Sequence, residues 1–158
     1  MEKFADYKKI LRVDIPLLIS DILKFDSVQN EIFYLIQDKQ LKLGVDGNAK
    51  RIQTIRADQE NEGQVYSQFT IMKRAEKGLQ FGNVDLKVTG EFYDSMDIEV
   101  KKDTTEILAE FDKKNGNIMG NFDPEYDFLK LTDANLEILC SFILSPNLEE
   151  KLKKSLGL

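Results

Sequence analysis

Residues Val84 to Phe111 have the sequence VDLKVTGEFYDSMDIEVKKDTTEILAEF, and the spacing of their apolar side chains decides the fold. Apolar and polar residues alternate from Val84 to Val88, which predicts a strand with one buried face. The alternation stops over Thr89 to Ser95 and resumes at Met96. The stretch therefore predicts a strand, one helical turn and a β-hairpin, in that order.

The predicted hairpin has one apolar face and one polar face, with a turn at Lys102 to Thr104. Its apolar face consists of Met96, Ile98, Val100, Ile107, Ala109 and Phe111. In the helical turn that precedes it, Phe92 and Tyr93 are adjacent and project about 100° apart. We expect Phe92 to enter the core and Tyr93 to pack over the sheet edge with its hydroxyl group in water.

The N-terminal half of the chain shows helical spacing and capping residues. The predicted elements are a helix carrying Phe4, Tyr7, Ile10 and Leu11, a helix from Asp14-Pro16 to Leu23, a helix from Asp26-Ser27 to Gly44, a short strand within 49–55 and a helix from Ser67 to Lys77. Gly78 follows the last of these helices, where a left-handed residue costs least. The polar residues Arg56 to Gly63 are predicted to be mobile.

The C-terminal third is predicted to form two amphipathic helices. Thr132 or Asp133 caps the first, and Ser145-Pro146 begins the second. With no internal repeat or proline-rich linker, residues 1–158 are expected to form a single α+β domain. It has a helical N-terminal region, a central antiparallel β-sheet with a hairpin, and C-terminal amphipathic helices.

Composition and charge exclude several classes of protein. At 158 residues with 42% hydrophobic and 32% charged residues, the chain has the composition of one folded soluble domain. It shows neither a bilayer-length apolar run nor a secretory signal pattern, so we expect no membrane association and no export. The net charge of −6 and the scattered lysines predict no specific nucleic-acid binding. Ion pairs are expected between Glu149 and Lys153 and between Glu150 and Lys154.

The residues that carry most enzyme chemistry are missing from this sequence. It contains no histidine and one cysteine, Cys140, which lies on a predicted apolar helix face and is expected to be buried. The carboxylate pairs Asp94 with Asp97 and Glu106 with Glu110 have spacings without specificity and are expected to be solvent-exposed. We therefore predict no enzymatic activity, and no catalytic, cofactor-binding or metal-binding residues.

One short pattern resembles a known group of proteins. The segment Thr89-Gly90-Glu91-Phe92-Tyr93-Asp94-Ser95, preceded by Tyr66-Ser67-Gln68-Phe69-Thr70-Ile71 and Lys77-Gly78, resembles small virion proteins of tailed phages and prophages. The resemblance covers the middle third of the chain. It implies a structural and interaction motif made of Tyr66, Ser67, Thr70, Thr89, Gly90, Phe92, Tyr93 and Ser95.

The resemblance implies a non-enzymatic virion component of the head-tail connector or tail-completion (neck) type. Such a subunit assembles in the host bacterial cytoplasm into a homo-oligomeric ring with portal, connector or tail subunits, and DNA passes through the assembly. An alternative from the acidic composition is a cytosolic protein-binding module of the accessory or immunity type, which binds a basic partner. A carboxylate-dependent hydrolase is the third hypothesis.

Overall fold

A computed structural model describes residues 14–55, 64–101, 104–113 and 116–157. Its helices are α1 (Ile15–Leu23), α2 (Asp26–Gln37), α3 (Gln68–Glu76), α4 (Glu91–Asp94), α5 (Asp133–Ile138) and α6 (Ser145–Leu156), with a π-helical segment (Leu139–Leu144) between the last two. Short 3-10 turns cover Leu41–Leu43 and Met119–Asn121. The predicted α+β class, with helical ends around an antiparallel hairpin, is confirmed. No helix in these described ranges is long and apolar enough to cross a membrane.

Two antiparallel strand pairs form the β structure. The strands are β1 (Asp97–Val100), β2 (Thr105–Leu108), β3 (Asp112–Lys113) and β4 (Gly116–Asn117). Ile98 pairs with Ile107 across β1 and β2, and Ile98 is 7% exposed while Asp97 and Glu99 face solvent. The predicted apolar face of the hairpin therefore packs on the core. The predicted turn residues Lys102 and Asp103 lie outside the described residues.

The strand predicted from Val84 to Val88 is wrong, although its pattern of burial is partly right. Val84 and Leu86 are 1% and 9% exposed, but Val88 is 53% exposed and the backbone is irregular. Leu86 has a φ of +54°, which no strand residue adopts. Side chains take the place of a neighbouring strand, because Asp85 accepts from the amide of Lys87 and Arg74 donates to its carbonyl.

Two further predictions in the N-terminal half require correction. Helix α2 ends at Gln37 and a separate 3-10 turn leads to Gly44, whose φ is +76°. The buried side chain of Gln40 bonds to Lys130 O and Thr132 N, which holds the chain out of the α-helical path. Residues 49–55 form no strand, only an isolated bridge between Val45 and Arg51.

The carboxylate of Asp46 organises the loop that replaces that strand. It is fully buried and accepts hydrogen bonds from the amides of Asn48, Lys50 and Asp127. Backbone groups that a strand partner would have satisfied are thus bound by a side chain. The predictions of a helix over Phe4 to Leu11 and of mobility over Arg56 to Gly63 fall outside the described residues.

The residues predicted to begin three of the helices cap them in the structure. Ser67 Oγ accepts from Thr70 N at the start of α3, and Thr132 Oγ1 accepts from Asn135 N at the start of α5. Asp14 caps α1 through the amide of Leu17. Gly78 has a φ of +66° just beyond α3, as predicted.

The two C-terminal helices are joined through the π-helical segment, and the prediction that Cys140 is buried is wrong. The buried side of this stretch contains Asn135, which donates to Leu35 O and Gln40 Oε1, and Leu136 is 47% exposed, so the buried face is displaced by one residue from the predicted one. Leu139 is buried, whereas Cys140 is exposed and Phe142 is 76% exposed. In α6 the predicted ion pairs are confirmed, with Nζ–Oε1 distances of 2.6 Å for Lys153–Glu149 and for Lys154–Glu150.

Candidate interaction cleft

The two motif segments identified in the sequence, 66–71 and 89–95, meet at one cleft. The cleft has a volume of 670 Å³, within the range of about 300–1,000 Å³ that is typical of ligand pockets. The motif residues that line it are Tyr66, Ser67, Thr70, Thr89, Gly90 and Phe92. We call it the motif cleft. The remaining two, Tyr93 and Ser95, are not among its lining residues.

The first motif segment fixes the start of α3. Ser67 Oγ and Thr70 Oγ1 lie 3.0 Å apart, and Ser67 caps the helix through the amide of Thr70. Tyr66 is 5% exposed, and the centroid of its ring lies 4.8 Å from the guanidinium carbon of Arg74 in α3. These contacts hold α3 as one wall of the motif cleft.

The second segment forms a corner. Gly90 has a φ of +92° and begins α4, and Phe92 is buried against the ring of Phe111 with centroids 5.1 Å apart. Ser95 Oγ donates to Phe92 O and accepts from Glu110 N, which joins α4 to the end of the hairpin. The prediction that Phe92 enters the core is confirmed.

The predicted position of the Tyr93 hydroxyl in water is wrong. This hydroxyl donates a hydrogen bond to the backbone carbonyl of Asp85. Burial, reinforced by the negative charge of Asp85, raises the pKa of Tyr93 above its ordinary value. Tyr93 therefore connects α4, the second wall of the cleft, to the irregular 84–88 segment, while Ser95 connects it to the end of the hairpin.

A buried ion pair beside the motif cleft was missed by the sequence analysis. Arg74 Nη2 lies 2.9 Å from Asp85 Oδ1, and the two side chains are 5% and 9% exposed. Arg74 also donates to Gln80 O, while Asp85 accepts from Gln80 Nε2 and Lys87 N. No local signal indicated the pair, since an arginine in a helix and an aspartate in an alternating stretch usually face solvent.

The cleft is apolar inside, and its exposed charged lining residues are two lysines and one carboxylate, Glu91. Phe69 and Val88 are 67% and 53% exposed, and Lys73 and Lys77 also line the opening. Lys73 pairs with Glu76 at 2.9 Å, whereas Lys77 forms no ion pair within the described ranges. Arg74 is engaged by Asp85 and by backbone carbonyls, so the rim lysines carry the positive charge that an incoming group meets.

The carboxylates proposed for catalysis do not meet in the cleft. Glu91 is the only carboxylate among the described residues that line it, whereas paired-acid hydrolysis needs two. Asp94, Asp97 and Glu110 are exposed elsewhere, and Glu106 pairs with Lys101 at 2.7 Å. Within the described ranges, no group of three or more His, Cys, Asp or Glu side chains is placed to hold a metal ion.

Because Gly90 has a positive φ, we expect substitutions there to lower the stability of the protein. Gly90→Val is expected to lower the free energy of unfolding by more than about 1 kcal/mol, because a β-branched residue is disfavoured in left-handed space. Thr89→Ala is expected to lower the free energy of unfolding by less than about 0.5 kcal/mol. The hydrogen bond that the Thr89 hydroxyl accepts from Glu91 N is long, at 3.4 Å, and exposed to solvent. Urea unfolding measures both changes.

Gly82 is the matched control for Gly90. It does not have a positive φ, and a Cβ added there meets no atom within 4 Å. Gly82→Ala should unfold at the wild-type urea concentration or slightly above it. If Gly90→Val also unfolds at the wild-type concentration, this corner of the cleft does not depend on glycine.

The buried tyrosine predicts how stability varies at high pH. Burial raises the pKa of Tyr66 to about 12. In the unfolded chain the tyrosine side chain loses its proton at about pH 10. Between about pH 10 and pH 12 the folded form therefore binds more protons than the unfolded form. The stabilisation is therefore complete below about pH 10 and is lost as the pH rises towards 12. Urea unfolding across this range should show a smaller decline for Tyr66→Phe than for the wild type; equal declines contradict the assignment.

Comparison with known proteins gives no relative of this chain. No protein-family model, no curated protein and no solved structure matches it. The likeness of Thr89 to Ser95 to phage virion proteins therefore stays a prediction from the sequence.

Proposed function

We propose that this chain is a structural component of a phage virion, a head-tail connector or tail-completion subunit that assembles into a homomeric ring with portal or tail proteins. The observation that supports this function is the motif cleft, where the two motif segments come together from separate parts of the chain. The subunit assembles in the host bacterial cytoplasm and resides in the virion. Its chemistry is binding, and we propose no catalytic role.

The cleft has the properties of a protein-binding surface. Its walls are held by a capped helix, a glycine corner and a buried ion pair, so little conformational entropy is lost when a partner binds. Phe69 projects an aromatic ring that is 67% exposed at the opening. Exposed aromatic side chains in apolar depressions are common binding hot spots.

The acidic net charge of −6 suits a ring that surrounds DNA. Like charges repel, so an acidic inner surface does not retain the polyanion that passes through it. Assembly with neighbouring subunits then depends on apolar contacts and local charge pairs instead of phosphate binding. This proposal accordingly includes no specific nucleic-acid recognition.

Mass photometry of the purified chain, alone and with a portal protein, tests the proposal. We expect ring-sized assemblies or a portal complex, and weaker assembly for Phe69→Ala. Phe81→Ala is the control, because Phe81 is 47% exposed but does not line the cleft. A persistent monomer that binds neither portal nor tail proteins contradicts the proposed function.

The second candidate is the acidic cytosolic binding module of the accessory or immunity type. It is favoured by the excess of 28 acidic over 22 basic residues and by carboxylates such as Glu99 on the outer face of the hairpin. It predicts a stable monomer that binds one basic partner, with affinity falling steeply as salt increases. Neighbouring genes for portal, capsid and tail proteins would favour the virion component instead.

A further inference from the structure

We infer that the motif cleft of one subunit binds the C-terminal helical face of a second copy of this chain; this inference rests on the proposed ring and specifies its interface. The binding face consists of Ala134, Glu137, Ile138, Ser141 and Phe142, which we call the Phe142 patch. All five are exposed. They recur at helical spacing on one side of α5 and the π-helical segment.

The Phe142 patch presents two large apolar side chains that remain exposed among the described residues. Phe142 is 76% exposed and Ile138 is 39% exposed, while Leu139 beside them is buried in the core. Phe142 follows Ile138 by four residues and lies in the π-helical segment, so it shares the exposed side of Ile138 and not the buried side of Leu139. Such segments are found frequently at functional sites.

The patch and the cleft are complementary in chemistry. The cleft offers an apolar depression of 670 Å³, which accepts an aromatic side chain, and the patch offers Phe142. The cleft rim carries Lys77, and the patch carries Glu137 beside Ile138. Neither Lys77 nor Glu137 has an ion-pair partner within the described ranges, so both charges are available for a contact between subunits.

A second copy is favoured over an unrelated partner because one chain carries both an apolar cleft with a lysine and an exposed phenyl ring with a glutamate beside it, and neither charge is paired among the described residues. Joining two different surfaces of identical subunits gives a head-to-tail interface. Head-to-tail interfaces close into rings when the rotation between subunits allows it, whereas a face that binds itself stops at a dimer. The interface therefore produces the type of assembly that the proposed function requires.

Mixing two blocked variants tests the head-to-tail geometry. Phe69→Glu blocks the cleft and Phe142→Glu blocks the patch, and both side chains are largely exposed, so both variants should keep the wild-type stability. Each variant alone is expected to be monomeric in sedimentation velocity, while the wild type forms larger assemblies. An equimolar mixture should form a one-to-one dimer and nothing larger, because one intact cleft and one intact patch remain.

Charge reversal tests the predicted pair independently. Lys77→Glu and Glu137→Lys should each weaken assembly at least about tenfold, which corresponds to about 1.4 kcal/mol. The double variant should restore it, since every interface again joins opposite charges. Glu31→Lys is the matched control, because Glu31 is exposed on α2 and belongs to neither surface.

The outcomes separate this inference from the proposed function. A wild-type chain that binds portal but stays monomeric overturns the self-association and leaves the virion role in place. Assemblies that persist in Phe69→Glu and Phe142→Glu also overturn it, because the ring then uses other surfaces. A chain that neither self-associates nor binds any virion protein overturns both.

Discussion

Replacing Asp85 with alanine is expected to lower the free energy of unfolding by about 3–5 kcal/mol. The substitution leaves the guanidinium group of Arg74 buried, at 5% exposure, without its counter-charge. It also removes the acceptor for Gln80 Nε2 and for the amide of Lys87, which shapes the irregular 84–88 segment. Urea denaturation followed by circular dichroism measures the change in the midpoint.

Two variants define what the loss at Asp85 means. Glu31→Ala removes an exposed carboxylate from α2 and should change stability by less than about 0.5 kcal/mol. The double variant Arg74→Met with Asp85→Leu removes both charges and should recover part of the loss, because no buried charge remains unpaired. A double variant less stable than Asp85→Ala would show that the hydrogen bonds of Arg74 to backbone carbonyls matter more than the ion pair.

Replacing Phe92 with alanine is the second change with a large expected effect, about 3–5 kcal/mol. Phe92 is 2% exposed and joins α4 to the aromatic side chains of the core through Phe111. Truncation removes the ring from the floor of the motif cleft and leaves a void that the neighbouring rings fill only partly. The same unfolding experiment measures it.

Phe69→Ala is the matched control for Phe92→Ala, since both remove a phenyl ring from the same cleft. Phe69 is 67% exposed, so its loss should change stability by less than about 0.5 kcal/mol while weakening assembly. Equal destabilisation by the two substitutions would contradict the separation of the cleft into a structural floor and a binding rim.

The sequence by itself determined the elements that depend on neighbouring residues. Ser67 and Thr132 cap helices as their side chains and positions indicated, and Gly78 adopts the left-handed conformation just beyond α3. The alternation around Ile98 predicted the hairpin and its buried face. Capping bonds, turns and alternating side chains connect residues a few positions apart, so their signals are local and can be found without the fold.

Tertiary structure decided the features that join distant segments. The expected strand at 84–88 is replaced by an irregular segment because Arg74 and Tyr93 bind its carbonyl groups. The contact with Asp85 O also takes the Tyr93 hydroxyl out of water, and the buried bonds of Asn135 to Leu35 O and Gln40 Oε1 select a helix face that leaves Cys140 exposed. The spacing of apolar residues records which side chains tend to be buried, but not which distant group will satisfy a backbone carbonyl or carboxylate. The motif cleft also depends on such pairings, because it forms only where the fold brings α3 and α4 together.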